Sequence, residues 1–567
     1  MEYIYFLLVV VGVLIIQFLR SHYTAKQRLV QQLQAQWGQV PDREYEDGDM
    51  RKIARYYERC RKQQPHRLHL DDITWNDLGM DEIFMLLNHT QSSVGEETLY
   101  RMLRMPEMDD VILLERDRLA KIFSRDASLR LKLEQTFHKI GKGRRLAFSD
   151  YIELLSKQTP TSNLVHYMGL AALIASIVLM FVQPDYGGFL LIVVIAFQII
   201  TYYCKKAQVE DFFVCVANVV RLHLCAKEIS DIDNANDISI YQNELHQLAD
   251  ALEPICRKSK SITMGKAMGG SPLDLLADYA KMILHIDLIA YQQIIGMICQ
   301  IEPAVWKAFD VLGQLECGLA IASFRQCLGQ WCEPQLWTAA VGDRLSLYGQ
   351  ELYHPLVDHA VPNSIFAERS QLITGSNASG KSTFLKTVGL SAVLAQTIYT
   401  VPGKSYRAPF CQIYSSMALK DNLPGGESYY MVEIRSLKRI LDRGHDDLPV
   451  LCFVDEVLRG TNTVERIAAS TQILKSMTSM NILCFAATHD GELAYLLEDC
   501  FDNGHFSETI TEGDILFNYR WQPGRALGRN ALQLLGLMGY DELVLQQARD
   551  MAERFDRTGI WSVYDES

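Results

Sequence analysis

The chain has 567 residues, 49% hydrophobic and 22% charged, enough apolar material for several packed cores and a composition that excludes a largely disordered protein. A formal net charge of -13 argues against a general polyanion-coating role, because nonspecific nucleic-acid binding draws on Lys and Arg to displace counterions, although a local basic face stays compatible with it. Thirteen cysteines without a CxxC pair or regular spacing read as buried or free thiols of a reducing compartment, not as a disulfide framework or a zinc site.

The first element is apolar. Residues 3–19 read YIYFLLVVVGVLIIQFL, near the lower length limit for a helix that crosses a bilayer. Glu2 stands where a signal peptide carries its basic region, no A-x-A-like cleavage site follows, and Arg20, Lys26 and Arg28 come after the run. Residues 1–20 are therefore predicted to be an uncleaved anchor. A linker with a helix (21–67) and the first part of a helical core (68–160) follow. Residues 161–206 are predicted to form a transmembrane hairpin: Leu164 to Val182 and residues 188–203 are apolar, and Gln183-Pro184-Asp185-Tyr186-Gly187 between them suits a tight reversal. The basic flanks Arg20, Lys26, Arg28, Arg144, Arg145, Lys157, Lys205 and Lys206 lie on one side of these three spans, while Glu2 and Asp185 mark the other. That bias predicts a multi-pass protein of the inner (cytoplasmic) membrane, its N-terminus outside and both large segments inside. The shortness of the third run keeps a buried hairpin of a soluble protein open as the alternative. A second helical part spans 207–335, and an α/β domain spans 336–567.

The chemistry lies in that last domain. Residues 371–386 read QLITGSNASGKSTFLK, a strand-like run entering GxxxxGK(S/T) ahead of a helical pattern, the context a phosphate-binding loop requires. Gly375, Ser376, Asn377, Ala378, Ser379 and Gly380 would wrap their backbone N–H groups around the phosphates of ATP, with Lys381, Ser382 and Thr383 opening the helix. Lys381 can neutralise the β and γ phosphates, and Ser382 can offer its hydroxyl to Mg2+. In LPVLCFVDEVLRGTNTVE (448–465) an acidic pair ends a continuous apolar run, as in a buried parallel strand that delivers carboxylates to its C-terminal edge. Asp455 would hold the metal through water, and Glu456 would orient or deprotonate the attacking water. Another strand, 482–487, ends at Thr488 and His489, placed to sense the γ-phosphate.

The motifs TGSNASGKST, VDEVLRGTNT and AATHDGEL, in this order, resemble those of the MutS family of DNA mismatch-repair ATPases. ALKDNLPGGESYYMVEI (418–434) resembles that family's signature segment, and Ser428 stands at the serine that reaches across a dimer to the other chain's nucleotide. YHPL, LAQTIYTVPG and the C-terminal PGRALGRNALQLLGLMGYDELVLQQARDMAERF extend the likeness over roughly the last 230 residues. Residues 88–123 and GQLECGLAIASF (313–324) are similar, more loosely, to the start and the closing helix of the family's helical core. The resemblance implies a P-loop NTPase fold of the ABC/MutS type with an all-α core and lever domain, binding of ATP and Mg2+, a homodimer with shared sites, and a capacity for DNA.

Departures limit it. No counterpart of the mismatch-reading domain or of a DNA clamp is recognisable, Glu465-Arg466 replaces a common Asp-Gly, Tyr429-Tyr430 stands where Thr-Phe is frequent, and no aromatic before Asn363 offers itself to adenine. The sequence thus predicts a membrane-anchored MutS-like ATPase, with catalysis on Glu456, Lys381, His489 and Ser428 and the metal on Ser382 and Asp455. The rival is a membrane remodelling, signalling or transport ATPase that has given up DNA. LPGGESYY in place of LSGGQ, and spans without an internal charge, disfavour a full exporter.

Overall fold

The computed structural model describes the chain except residues 1, 47, 144, 158–161, 234–235, 264–278, 341, 377–378, 418–428, 460, 512–513, 526–534, 536–538, 560 and 562–567; side chains are likewise not described at 2–4, 7–11, 14–15, 18–19, 22, 207–211, 260–263, 299, 429, 509–516 and 556. It divides into two compact units. Met1–His69 with Asp81–Gly329 form one, and Leu70–Met80 with Gln330–Ser567 form the other.

The first unit is helical. Its helices begin where short polar side chains can satisfy the free N–H groups of a first turn. Asp109 accepts from Val111 N at 2.9 Å to open α7 (Asp110–Arg125), and Asp126 accepts from Ser128 N and Leu129 N, both at 2.9 Å, to open α8 (Ala127–Ile140). Ser92 caps α6 (Ser93–Arg104). The two loosely matching sequence segments meet here: the buried Glu316, on α13 (Ile286–Leu328), accepts from Gln91 N at 2.6 Å and Ser92 N at 2.8 Å. A second buried tie, Arg325 to Asp117 at 2.8 Å, joins α13 to α7.

Residues 3–19 lie inside α1 (Glu2–Gln36), a 35-residue helix, and within that run Tyr5, Phe6, Val13 and Ile16 are exposed. The hairpin consists of α10 (Leu164–Val182) and α11 (Pro184–Ser230). Among the described residues two helical stretches are long and apolar enough to cross a membrane, Leu164–Val182 and Pro184–Lys206, each only 17% buried. The structure therefore supports two candidate spans where the sequence predicts three; most side chains of the first run lie outside those described. Across the boundary placed between residues 206 and 207, α11 runs on as one helix of 47 residues. No proline or glycine interrupts it from 189 to 230, so nothing in that stretch removes a hydrogen bond from the ladder.

The second unit is built on a six-stranded sheet in the order β10-β9-β4-β8-β7-β6. Here β4 is Gln371–Thr374, β6 Gln412–Ser416, β7 Val450–Asp455, β8 Ile482–Thr488, β9 Asp502–Thr511 and β10 Asp514–Pro523. All neighbours are parallel except β9 and β10. As their continuous apolar runs predict, β4 and β8 are buried at every position and β7 at all but Asp455. Val450, Cys452 and Val454 pack with Leu437, Ile440, Leu474 and Met477 of the flanking helices α15 (Tyr429–Arg443) and α16 (Thr463–Thr478). A smaller sheet, β1-β5-β2-β3, comprises Gln335–Trp337, Ser405–Pro409, Leu347–Leu352 and Asn363–Ala367 respectively. The described cysteines are all free.

Candidate nucleotide-binding site

Strand β4 ends at Thr374, and α14 (Lys381–Ile398) starts after the glycine-rich turn. The two glycines are needed for conformation and space: Gly375 has φ +142° and Gly380 φ +103°, and a Cβ on Gly375 would lie 2.8 Å from the Phe506 carbonyl oxygen. Lys381 is buried and folds back over the turn, its Nζ donating to the carbonyls of Gly375 and Ser376 at 2.6 Å each. Burial pulls its pKa below the usual lysine range, against the opposing pull of Asp455 and Glu456. Ser376 donates its hydroxyl to Glu508 at 2.6 Å, and Ser379 donates to the Ser376 carbonyl at 2.7 Å. Thr383 is exposed on the first turn. Asn377 and Ala378 lie outside the described residues.

Parallel pairing sets Thr374 beside Thr488 and Asp455 beside Ala487. The acidic pair and the histidine thus emerge at the same sheet edge as the phosphate turn. Ser382 donates its hydroxyl to Asp455 Oδ2 at 2.5 Å, while Asp455 Oδ1 is buried without a hydrogen-bond partner among the described residues. A hydroxyl and a carboxylate whose second oxygen is orphaned form a hard oxygen donor set that fits Mg2+. Glu456 adopts φ +56°, a rare conformation for a residue with a side chain, and its N–H donates to the Ala487 carbonyl at 2.9 Å. Its Oε2 lies 2.5 Å from Arg459 Nε and 3.0 Å from His489 Nδ1.

The structure therefore brings Lys381, Ser382, Asp455, Glu456 and His489 together. Ser428 lies outside the described residues.

Other members of the site escaped the sequence reading. Arg459 and Asp490 sit inside the quoted motifs, so their spacing from Glu456 and His489 offered a signal. Arg466, one of the departures, grips Asp490 at 2.7 and 3.1 Å and so braces the turn that carries His489. Glu433 of α15 accepts from Leu458 N at 2.5 Å, and burial raises its pKa. Tyr519 of β10 is half-exposed, and its ring edge would lie 3.2 Å from a Cβ on Gly380. Asn363 donates to the Tyr519 carbonyl at 2.9 Å and accepts from Trp521 N at 2.7 Å. Glu433 also sits inside a quoted segment, 418–434, whereas no local pattern betrays Tyr519, which reaches the site only through folding.

The domain that carries these residues resembles known proteins. Residues 371–556 match the family model described as MutS domain V. The chain is 31% identical over 255 residues to the DNA mismatch repair protein MutS of Thermus aquaticus, covering 44% of this chain and 30% of that protein. It is 28% identical over 282 residues to the MutS protein of Erythrobacter litoralis (47% and 31%). To the DNA mismatch repair protein MutS 2 of Haloarcula marismortui it is 30% identical over 196 residues (33% and 20%). The chain thus matches under a third of the length of these relatives.

Proposed function

Because the chain belongs to the MutS family through the domain at residues 371–556, we propose that it is a membrane-anchored ATPase that binds and hydrolyses ATP as a homodimer. The observation that carries this reading is the Asp455 carboxylate, tied to Ser382 through one oxygen while its other oxygen is buried and orphaned among the described residues. Ser382 and Asp455 would hold Mg2+, which supplies charge neutralisation at the phosphates when bound. Lys381 gives up its two carbonyl contacts for the β and γ phosphates, and the N-terminus of α14 adds its partial positive charge. Glu456 accepts the proton of the attacking water, or orients it, and Arg459 and His489 hold that carboxylate in place. Tyr519 offers the aromatic face for the base that the sequence left unassigned.

In the homodimer Ser428 of each chain serves the nucleotide of the other, so nucleotide binding and closure of the paired domains become one event. The hairpin and the apolar part of α1 anchor the protein in the inner membrane, and DNA is a ligand by family likeness. A second reading, a membrane remodelling, signalling or transport ATPase without DNA, is favoured by the two exposed apolar helices and the acidic net charge.

Two assays on detergent-purified protein decide these points. Phosphate release from ATP should require Mg2+ and stop with excess chelator; no hydrolysis at any Mg2+ concentration would sink the ATPase reading. Salt-titrated DNA binding, with and without ATP, separates the two readings: salt-sensitive binding supports the first, and none even at low salt supports the second.

A further inference from the structure

Strand β6 is the outer strand of the six-stranded sheet, paired among the described residues only with β7. Gln412 N donates inward to Pro449 O, so strand alternation points the N–H groups of Ser415 and Met417 away from β7. Such an edge must be covered or solvated. Here it is covered by α4 (Asp72–Asp77), which arrives from far upstream in the chain and belongs to the same compact unit. Thr74 Oγ1 accepts from Ser415 N at 3.1 Å. One oxygen of Asp77 accepts from both Met417 N at 2.9 Å and the Ser415 hydroxyl at 2.6 Å. Thr74, Asp77 and Ser415 are all buried, so water cannot replace these partners.

A second contact runs from the same helix. Asp71, which caps α4 by accepting from Thr74 N at 2.8 Å, also holds Arg439 of α15 at 2.6 Å. Arg439 in turn donates to the Ser415 carbonyl at 2.5 Å. Further along α15, Glu433 accepts from Leu458 N, two residues beyond Glu456. Leu458 and Glu456 both have positive φ, at +61° and +56°, conformations that persist only when the surroundings hold them. The chain leaves α4 after Asp77, and this segment of the ATPase unit ends at Met80, with Asp81 opening the next segment of the helical unit.

We infer that α4 is a strap built into the ATPase unit, and that Asp77 and Asp71 are positioning residues which fix β6 and α15 and, through Glu433, the Glu456 loop. The inference rests on the ATPase reading for its kinetic consequence but not for its structural one. As a segment joined directly to the helical unit at both of its ends, the strap is a covalent route by which a rearrangement there reaches the water-activating carboxylate.

The test compares Asp77→Ala, Asp77→Asn and Asp71→Asn in full-length protein, measuring kcat, nucleotide Kd and amide hydrogen exchange without nucleotide. Asp77→Ala should lower kcat by roughly tenfold to a hundredfold, the scale of a small misplacement of a catalytic group, with Kd changed by less than about twofold. Exchange should quicken at 415–417 and at 456–459. Asp77→Asn retains an oxygen acceptor and should recover most of the lost turnover. If Asp77→Ala does not fold, Asp71→Asn at its partly exposed position carries the test, with a smaller drop in kcat and faster exchange at 456–459.

Wild-type kcat in the folded variants, or a loss of affinity that accounts for the whole loss of turnover, would overturn the strap. Unaltered exchange at 456–459 in both Asp77→Ala and Asp71→Asn would do the same. A wild-type protein that turns over no ATP defeats the ATPase reading instead, and the exchange data then decide the strap alone.

Discussion

Glu456 illustrates how much a single side chain must be held. Its backbone is in a left-handed conformation, and its carboxylate is flanked by Arg459 and His489. Glu456→Gln keeps the shape and removes the charge and the base, so ATP binding should persist while kcat falls roughly a hundredfold or more; single-turnover measurements on purified protein that match wild type would refute the assignment. Lys381→Ala should instead raise the nucleotide Kd by at least about tenfold, because its ammonium serves the bound phosphates directly. His89, in the helical unit, makes a different case. Its Nδ1 lies 3.0 Å from the Ser323 hydroxyl, and burial, reinforced by the charge of Lys142, lowers its pKa to about 4. The unfolded chain binds a proton there near pH 6.5 and the folded chain does not, so this contribution is fully present above 6.5 and is lost as pH falls toward 4. The loss should reach about 3 kcal/mol at most. Denaturant titrations at pH 7 and pH 4.5 should show it in wild type and show it diminished in His89→Gln.

At the scale of elements, α11 joins the hairpin to the helical part that follows it. The sequence places a boundary between residues 206 and 207, and Pro184–Ser230 is one helix across it. The apolar half and the polar half share the 3.6-residue geometry, and nothing between them breaks it, so the change from apolar to polar composition falls within one rod. Phe197 and Leu224 are both exposed on it. Spin labels at these positions, 27 residues apart by their numbers, should be about 40 Å from each other along a straight helix. A distribution in bilayers that is much shorter or broad would mean a joint near residue 206. The second helix of the hairpin is accordingly continuous with a long helix of the helical unit, whereas α1 bears its apolar run on its first half.

For the whole molecule, the prediction concerns the number of chains that make a site. The described phosphate turn and acidic edge supply Lys381, Ser382, Asp455 and Glu456 from one chain, and the proposed dimer adds Ser428 from the other. Ser428→Ala and Lys381→Ala proteins, each poorly active alone, should regain up to about a quarter to a half of wild-type turnover when subunits exchange, since the mixed dimer holds one intact composite site. No recovery despite exchange demonstrated by a labelled-subunit assay would favour sites complete within one chain.

The sequence by itself determined the phosphate turn, the acidic strand end and the histidine, because each is a short motif whose geometry follows from local rules. Glycines reach positive φ, a helix N-terminus follows a turn, and continuous apolar strands are buried in parallel sheets. It determined the apolar hairpin for the same reason, since length and composition alone set that signal. Tertiary structure decided what joins these pieces. Residues 70–80 read as the start of the helical core, but Thr74 and Asp77 find their partners on β6 more than 300 positions away. Glu433 and Tyr519 likewise reach the site only once the sheet order β10-β9-β4-β8-β7-β6 has formed. A buried edge N–H must find an acceptor wherever the fold brings one, and no periodicity along the chain records which acceptor that will be.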